Sequence, residues 1–204
     1  MAGIVGTKIG MTRVFREDGS AVPVTVIEAG PCPVTAVRDP ERDGYGAIQL
    51  AQGETDEGRL NKAELGHLKK AGAAPMRTLV EFRGESEHQV GDVVTVEVFE
   101  PGQLVKVSGV SVGKGFQGTI RRHGFSRGPV THGSHNVRAP GSIGASADPA
   151  RVFRGTRMPG RMGGRRVTQR RCEVVEVDAE RNLLLVKGPV PGPRNATVEV
   201  RSDA

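Results

Sequence analysis

The sequence predicts a mainly β protein, a barrel or a sandwich, into which one long basic segment is inserted. Short apolar runs recur about every eight to twelve residues between turns rich in Gly and Pro, a spacing typical of these folds. Residues 113–171 hold thirteen Lys or Arg and one acid, Asp148, and so carry a formal charge of +12. Because the whole chain of 204 residues carries +6, the remainder carries −6.

The first strands are predicted within residues 2–28. Ile4 and Val5 begin an apolar run that Gly6 interrupts, and a hairpin turn is predicted at 17–19. Valines then alternate with other residues over 22–26, which is the period of a strand. Pro23 within this run indicates an edge strand or a bulge, since proline has no N–H to donate.

Further strands follow the same criteria, with a turn predicted at 39–44. In the run 91–102, Val94, Val96 and Val98 alternate with Thr95, Glu97 and Phe99, which predicts one continuous strand. The predicted strands are 33–38, 45–51, 77–83, 91–102, 103–111, 172–177, 183–188 and 197–201.

A helical insertion is predicted at about 60–72. Asn61 is a suitable N-cap with Glu64 three residues later, the pattern of a capping box. The predicted helix runs from Asn61 to Ala71, and Gly72 and Pro75 end it. Because strands resume after the basic segment, we expect a discontinuous β domain of residues 1–112 and 172–204, with 113–171 as an extension between its two parts.

The extension has twelve glycines among its 59 residues and no sustained periodicity. A short helix is predicted from Phe116 to His123, and the rest is irregular. A loop of this length is either disordered or functional. The spaced apolar residues Ile143, Val152, Phe153 and Met158 favour an arm that is mobile when free and ordered against a partner.

The composition of the extension favours folded RNA as that partner. Arginine outnumbers lysine twelve to one, and guanidinium groups bind phosphate in a bidentate manner and stack on bases. A membrane-binding segment would need an amphipathic helix, and most DNA readers present a recognition helix or zinc finger; neither pattern occurs. Aromatic residues make up only 3% of the chain, which argues against a single-strand binder built on stacking.

Catalytic and metal-binding alternatives rest on the histidines. His132 and His135 could be two metal ligands, or the acid and base of a ribonuclease, although only Asp148 is a further ligand nearby. Histidines that contact RNA are the interpretation that we favour, and a free RNA chaperone is a third possibility. We expect no cofactor, no metal and no small-molecule substrate.

The remaining features predict a protein of the cytoplasm. The two cysteines, Cys32 and Cys172, form no CxxC pair, which favours reduced, packed thiols. The N-terminus lacks the apolar region of a signal peptide, and no run approaches the length of a membrane span.

Several motifs together resemble the bacterial form of the large-subunit ribosomal protein L-three family, nearly end to end and in the same order. They are GTKIGMTRVF at 6–15, AVPVTVIEAGPCPV at 21–34, GKGFQGTIRRHGF at 113–125, THGSH at 131–135, PGSIG at 140–144, RVFRGTRMPGRMGGRRVT at 151–168 and ERNLLLVKGPVPGP at 180–193.

This resemblance implies a six-stranded barrel of the translation-protein type, with an extension that threads into large-subunit ribosomal RNA. It implies that the extension tip approaches the peptidyl transferase centre, and that the protein binds early in assembly beside other large-subunit proteins. The chain is therefore expected to be a structural constituent of the ribosome and not an enzyme.

The resemblance and the charge together give the expected site residues. Those expected to bind RNA are Lys114, Arg121, Arg122, His123, Arg127, His132, His135, Arg138, Arg151, Arg154, Arg157, Arg161, Arg165 and Arg166. Those expected to allow close backbone approach are Gly141, Gly144, Gly160, Gly163 and Gly164. Those expected at the tip are Ala145, Ser146, Ala147 and Asp148.

Two places depart from the family pattern. His123 and Gly124 stand before Phe125, where the family commonly has Trp-Asn. The run 145–150 stands where many bacterial members have Gln-Asn-Gln-Thr-Pro-Gly, so the glutamine that can be methylated there is absent.

Overall fold

The computed structural model describes residues 3–84 and 87–203, and within them the chain forms twelve strands, three α-helices and two short 3-10 helices. The strands are β1 Gly3–Phe15, β2 Ala21–Glu28, β3 Cys32–Arg38, β4 Ala47–Glu54, β5 Met76–Arg83, β6 Val93–Val94, β7 Leu104–Val110, β8 Phe116–Gln117, β9 Gly160–Arg161, β10 Arg166–Asp178, β11 Leu183–Lys187 and β12 Thr197–Ser202. The helices are α1 Pro40–Asp43, α2 Lys62–Lys70 and α3 Thr119–His123.

Six antiparallel strands close a barrel in the order β1-β12-β7-β10-β11-β2. The register pairs Ile4 with Val200 and Val198 with Gly109, so strands from both ends of the chain are neighbours. The barrel confirms the predicted mainly β fold, and its closure satisfies the backbone groups that edge strands would leave unpaired. Buried aliphatic side chains such as Ile27 and Leu184 fill the core.

A second sheet, in the order β5-β4-β3-β6, contributes to the same core. Phe82 on β5 lies against Gly3, where a Cβ atom would overlap its ring. The Arg201 guanidinium lies 4.6 Å from the centroid of that ring. The second sheet thus packs on the barrel at Gly3, where the barrel strand carries no side chain.

Helix α2 confirms the predicted insertion and its cap. The Asn61 side chain accepts from the Glu64 N–H at 2.8 Å, and the Glu64 carboxylate accepts from the Asn61 N–H at 3.1 Å, so both bonds of the capping box are present. Leu68 on this helix is buried against Ala51 and Met76, which fixes the helix on β4 and β5.

The predicted continuous strand at 91–102 is wrong. Only Val93–Val94 is a strand, and Val96–Val98 forms a 3-10 turn in which the Phe99 N–H donates to the Val96 carbonyl at 3.1 Å. Such a turn places residues three apart on one side. It therefore buries Val96 and Phe99 together, whereas Val98 is 37% exposed. In the predicted turn at 39–44, the chain forms the short helix α1.

Pro23 is neither on an edge strand nor at the bulge. Strand β2 pairs with both β1 and β11, and the bulge lies between Lys8 and Gly10. The register with β11 ends at Val24, and the Gly188 N–H donates to the Pro23 carbonyl at 2.9 Å. The missing N–H of the proline faces the side where that pairing stops, so no ladder bond is lost.

Both cysteines are buried and free, as the sequence predicts. Burial raises the pKa of the Cys32 thiol to about 11 and also raises the pKa of Cys172. Neither thiol is therefore poised for chemistry at neutral pH. In the part of the chain that the structure describes, no helix has the length and apolar character needed to cross a membrane.

The chain divides into two compact units, one of residues 1–111 and 166–204 and the other of residues 112–165. Strand β10 begins at Arg166, inside the range 113–171 predicted for the extension, and pairs with β7 from that residue onward. We call residues 1–111 and 166–204 the barrel unit and residues 112–165 the extension unit. That they are independent domains stays a prediction, which a deletion tests below.

Candidate RNA interface

The charge of the molecule is concentrated in the extension unit. Residues 112–165 hold ten Lys or Arg and one acid, a formal charge of +9, while the barrel unit holds 19 basic and 22 acidic residues and carries −3. One part of the chain thus carries a large excess of cations, and the other carries a small excess of anions. This asymmetry indicates a polyanionic ligand for the extension unit.

Many cations of the barrel unit have carboxylate partners. Glu173 accepts from Arg16 at 2.9 Å and from Lys187 at 2.8 Å, and Arg201 pairs with Glu199 at 3.3 Å. In contrast, Lys114, Arg127, Arg138, Arg154 and Arg157 of the extension unit have no carboxylate partner within the described chain. The protein therefore leaves the positive charges of these five residues uncompensated.

The extension unit has almost no core of its own. Thr119 is its only buried residue, and all of 112–165 are described. Phe116 is 75% exposed and Phe153 is 58% exposed. Ordering a residue costs on the order of 1–2 kcal/mol of conformational entropy, and burial within this unit does not offset that cost. The extension unit therefore gains little stability from burial of its own side chains.

Backbone pairing organises the base of the extension unit. Strands β8 and β9 pair antiparallel, the Lys114 N–H donates to the Met162 carbonyl at 2.9 Å, and the Met162 N–H donates to the Gly115 carbonyl at 2.9 Å. The helix predicted from Phe116 is therefore wrong in its first residues. Gly118 is the extended N-cap, and α3 begins only at Thr119.

Two predicted RNA-binding residues have a structural role at this base. Arg122 Nη1 donates to the Met158 carbonyl at 2.6 Å, and His123 Nε2 lies 3.0 Å from the same oxygen. The two side chains hold α3 against the returning chain. His123 also lies beside Phe125, with ring centroids 6.0 Å apart.

Five glycines were predicted to allow close approach of the backbone to RNA. At three of them, neighbouring atoms of the protein already occupy the space of a side chain. A Cβ atom on Gly160 would lie 2.7 Å from Arg122 Nη1, and one on Gly163 would overlap the Val112 carbonyl. A Cβ on Gly164 would lie 3.1 Å from Arg161 Nη2. Gly141 and Gly144 have no such neighbour closer than 3.8 Å, so only these two leave room for a ligand.

The other predicted cations fall into two groups. Some are engaged within the protein: Arg121 donates to Gln117 at 3.4 Å, Arg151 lies 5.5 Å from the Phe153 ring centroid, Arg165 has a partner, and Arg166, on β10, pairs with Glu199. Others make no side-chain hydrogen bond or ion pair within the described chain: Lys114, Arg127, Arg138, Arg154, Arg157 and Arg161. The second group is available to a ligand without breaking any internal contact.

The structure does not bring the histidines into a catalytic or metal-binding arrangement. His132 and His135 are exposed, and neither side chain has a hydrogen-bond partner among the described residues. Within residues 3–84 and 87–203, no group of three or more His, Cys, Asp or Glu side chains could hold a metal ion. His132 has a φ of 64°, a conformation that belongs to a tight turn.

The tip residues lie on the surface. Ala145, Ser146, Ala147 and Asp148 are all exposed, and the Ser142 hydroxyl donates to the Gly144 carbonyl at 3.0 Å just before them. The contact between Arg151 and Phe153 was not predicted from the sequence. Its signal was the position of Val152 and Phe153 between Arg151 and Arg154, which places a cation near a ring.

Comparisons with known proteins agree with the motifs. A model of the family described as Ribosomal protein L3 matches residues 62–182. Over 200 residues the chain is 54% identical to the large ribosomal subunit protein uL3 of Thermosynechococcus vestitus, which covers 97% of this chain and 94% of the relative. It is 52% identical over 201 residues to uL3 of Acaryochloris marina, covering 98% and 95%, and 54% identical over 205 residues to uL3 of Acidothermus cellulolyticus, covering 99% and 92%.

These matches confirm the resemblance, and the family is one of ribosomal proteins, which agrees with the expectation that the chain is not an enzyme. Matches of this identity over nearly the full length, on a closed six-stranded barrel with a basic extension unit, leave one assignment: the chain belongs to the ribosomal protein L3 family.

Proposed function

We propose that this chain is a structural constituent of the large ribosomal subunit and binds large-subunit ribosomal RNA through the extension unit. It acts in the cytoplasm, within the ribosome, and neighbouring large-subunit proteins are its other partners. The relatives that it matches are named large ribosomal subunit proteins. We further propose that it binds early in assembly and that its tip, 145–148, points toward the peptidyl transferase centre.

The observation that carries the proposal is the uncompensated charge of a unit without a core. The extension unit carries +9, and Lys114, Arg127, Arg138, Arg154 and Arg157 have no carboxylate partner within the described chain. A phosphate backbone supplies these missing anions. It also supplies surface against which exposed side chains such as Phe116 and Phe153 become covered.

RNA fits this surface better than duplex DNA does. The extension unit offers short β pairing, one helix of five residues and irregular backbone, so it has no long helix to place in a major groove. Folded RNA is recognised through its shape, its phosphates and its unstacked bases. The contact of Arg151 with Phe153 presents a cation and a ring together, which suits both phosphate and base.

The salt dependence of binding tests this proposal. We expect log affinity of the full chain for large-subunit ribosomal RNA to fall with log salt by about 0.7–0.9 for each phosphate neutralised. Replacing Arg127, Arg138, Arg154 and Arg157 by Gln should lower the slope by about 3. The measurement is filter binding or fluorescence anisotropy over a range of potassium chloride concentrations.

The matched control removes four cations from the barrel unit, with Arg13, Arg59, Lys62 and Arg77 replaced by Gln. This variant should keep the slope of the original chain. A flat slope for the original chain, or equal losses in the two variants, contradicts the proposal. Stoichiometric co-fractionation of the chain with large subunits separates a ribosomal constituent from a free RNA chaperone.

A further inference from the structure

The barrel unit has a cationic cleft between the end of β3, helix α1 and the C-terminal end of α2. Arg38, Arg42, His67 and Lys70 line it around a floor that includes Val37. None of the described lining residues is acidic. This is unexpected on a unit whose formal charge is −3. None of the extension residues takes part in it.

Two of these cations are held in place by carboxylates that are not among the lining residues. Arg38 donates from Nε to Glu81 and from Nη1 to Asp43, each at 3.3 Å, and the bond to Glu81 raises the pKa of Arg38. Arg42 is bonded to Asp43 at 3.1 Å, while its side chain stays 75% exposed. The two guanidinium groups are thus oriented by the protein and still have N–H donors left for a ligand.

The other side of the cleft is fixed through the sheet. The Gln49 amide oxygen accepts from the Thr35 hydroxyl at 2.8 Å and lies 2.6 Å from His67 Nε2. Because an amide oxygen only accepts, the imidazole donates from Nε2. His67 is therefore anchored on β4, and the last turn of α2 is held with it.

Lys70 is not explained by the helix that carries it. Cations near a helix C-terminus commonly balance the partial negative charge of its last carbonyls. Here the N–H groups of Ala71, Gly72 and Ala73 already donate to the carbonyls of His67, Leu68 and Lys69. Lys70 itself makes no ion pair or side-chain hydrogen bond within the described chain, so its ammonium group is available to an anion.

We propose that the cationic cleft binds the sugar–phosphate backbone of large-subunit ribosomal RNA as a second contact, separate from the extension unit. The proposal rests on the proposed function, because it takes the RNA as given. Arg38, Arg42 and Lys70 converge from three elements, so they can bind phosphate. The apolar floor can pack against the carbon atoms of a ribose. An acidic protein segment is the competing ligand, and it becomes one outcome of the test.

The test compares two variants of the full chain that each lose two positive charges. The cleft variant is Arg42→Gln with Lys70→Gln, and the control is Arg59→Gln with Lys62→Gln, two exposed positions outside the cleft. If two phosphates are bound there, the cleft variant should lose about 1.4–1.8 from the slope of log affinity against log salt. The control should lose nothing.

Further measurements distinguish failure of the second contact from failure of the proposed function and from unfolding of a variant. Thermal unfolding of each variant shows that the fold is intact, and Arg42→Lys with Lys70→Arg should recover the original slope. If the original chain itself has a flat slope, the proposed function fails. If its slope is steep and the cleft variant matches the control, only the second contact is overturned. Crosslinks can also be formed from the position of Val90 in assembled subunits. If they reach protein and no RNA, the second contact is overturned.

Discussion

Single glycines decide how closely the strands of the barrel unit approach one another. Gly6 interrupts the first apolar run of the sequence, yet β1 passes through it without a break. A Cβ atom there would lie 2.7 Å from Ile27 Cγ2 and 2.8 Å from the Glu28 carbonyl oxygen. The glycine is therefore a packing requirement of the barrel and not the end of a strand.

We expect Gly6→Ala to lower the free energy of unfolding by about 1–3 kcal/mol, the usual cost of overpacking. The reason is that the added methyl meets a backbone carbonyl, which cannot move away as a flexible side chain would. Urea unfolding followed by far-UV circular dichroism measures the change.

Gly10→Ala is the matched control, on the same strand. A Cβ atom on Gly10 has no heavy atom within 4 Å, so this variant should keep the stability of the original chain or gain a few tenths of a kcal/mol. Equal destabilisation by the two substitutions would show that propensity, and not close packing, governs β1.

Elements were predictable from sequence wherever one local pattern determined them. The capping box of Asn61 and Glu64 is complete within four residues, so α2 followed from the sequence alone. The hairpin turn between β1 and β2 is equally local. In each case the interactions that define the element lie between residues that are near neighbours in the chain.

Elements were not predictable where a distant contact overrides the local pattern. Val94, Val96 and Val98 alternate as in a strand. However, Val96 and Phe99 both pack into the main core, and a 3-10 turn is what buries them together. Likewise, Phe116–Gln117 pairs with Gly160–Arg161, more than forty residues away. No sequence period carries the information that these partners meet.

Strands β10 and β11 and the turn after β1 are joined by one carboxylate. Glu173 accepts from Lys187 and from Arg16, and the bond from Lys187, with Arg16 adding to it, holds the pKa of Glu173 below its ordinary value of 4.5. A lowered pKa in the folded state stabilises the fold above pH 4.5, and this stabilisation is lost as the pH falls through the folded-state pKa.

We therefore expect Glu173→Gln to cost less than about 1 kcal/mol of unfolding free energy at pH 7, since the pair is at the surface. The difference from the original chain should shrink as the pH is lowered below 4.5. Glu17→Gln, which removes an exposed carboxylate of the same turn, is the control. A Glu173→Gln deficit that is constant from pH 7 to pH 3 would assign the loss to packing instead.

At the scale of the whole molecule, the sequence predicted the location of the basic segment better than the roles of its single residues. Net charge is a property of a segment and needs no coordinates, so the extension could be found by counting. The roles of single residues depend on neighbours: Arg122 and His123 hold Met158, Arg166 pairs with Glu199, and Gly163 makes room for Val112. The cationic cleft was missed because its cations are separated in sequence and converge only in the fold.

We expect the barrel unit to fold without the extension unit. Val110 and Arg166 are register partners in the pairing of β7 with β10, so the two ends of the barrel unit already lie side by side. Replacing residues 112–165 by a linker of about four residues should therefore leave a hairpin connection. Shortening a 54-residue loop to this length should raise the free energy of unfolding by up to about 2 kcal/mol, because less loop-closure entropy is lost.

Denaturant unfolding, monitored by two probes, measures this stability and its cooperativity. A single coincident transition at equal or higher stability is expected, together with loss of stable incorporation into large subunits. The control is the same linker inserted after Ser111 with the extension kept, which tests whether the junction itself tolerates change. A deleted chain that unfolds without cooperativity would mean that residues 112–165 help to build the barrel core. The charge asymmetry would then mark a difference in surface and not a division into domains.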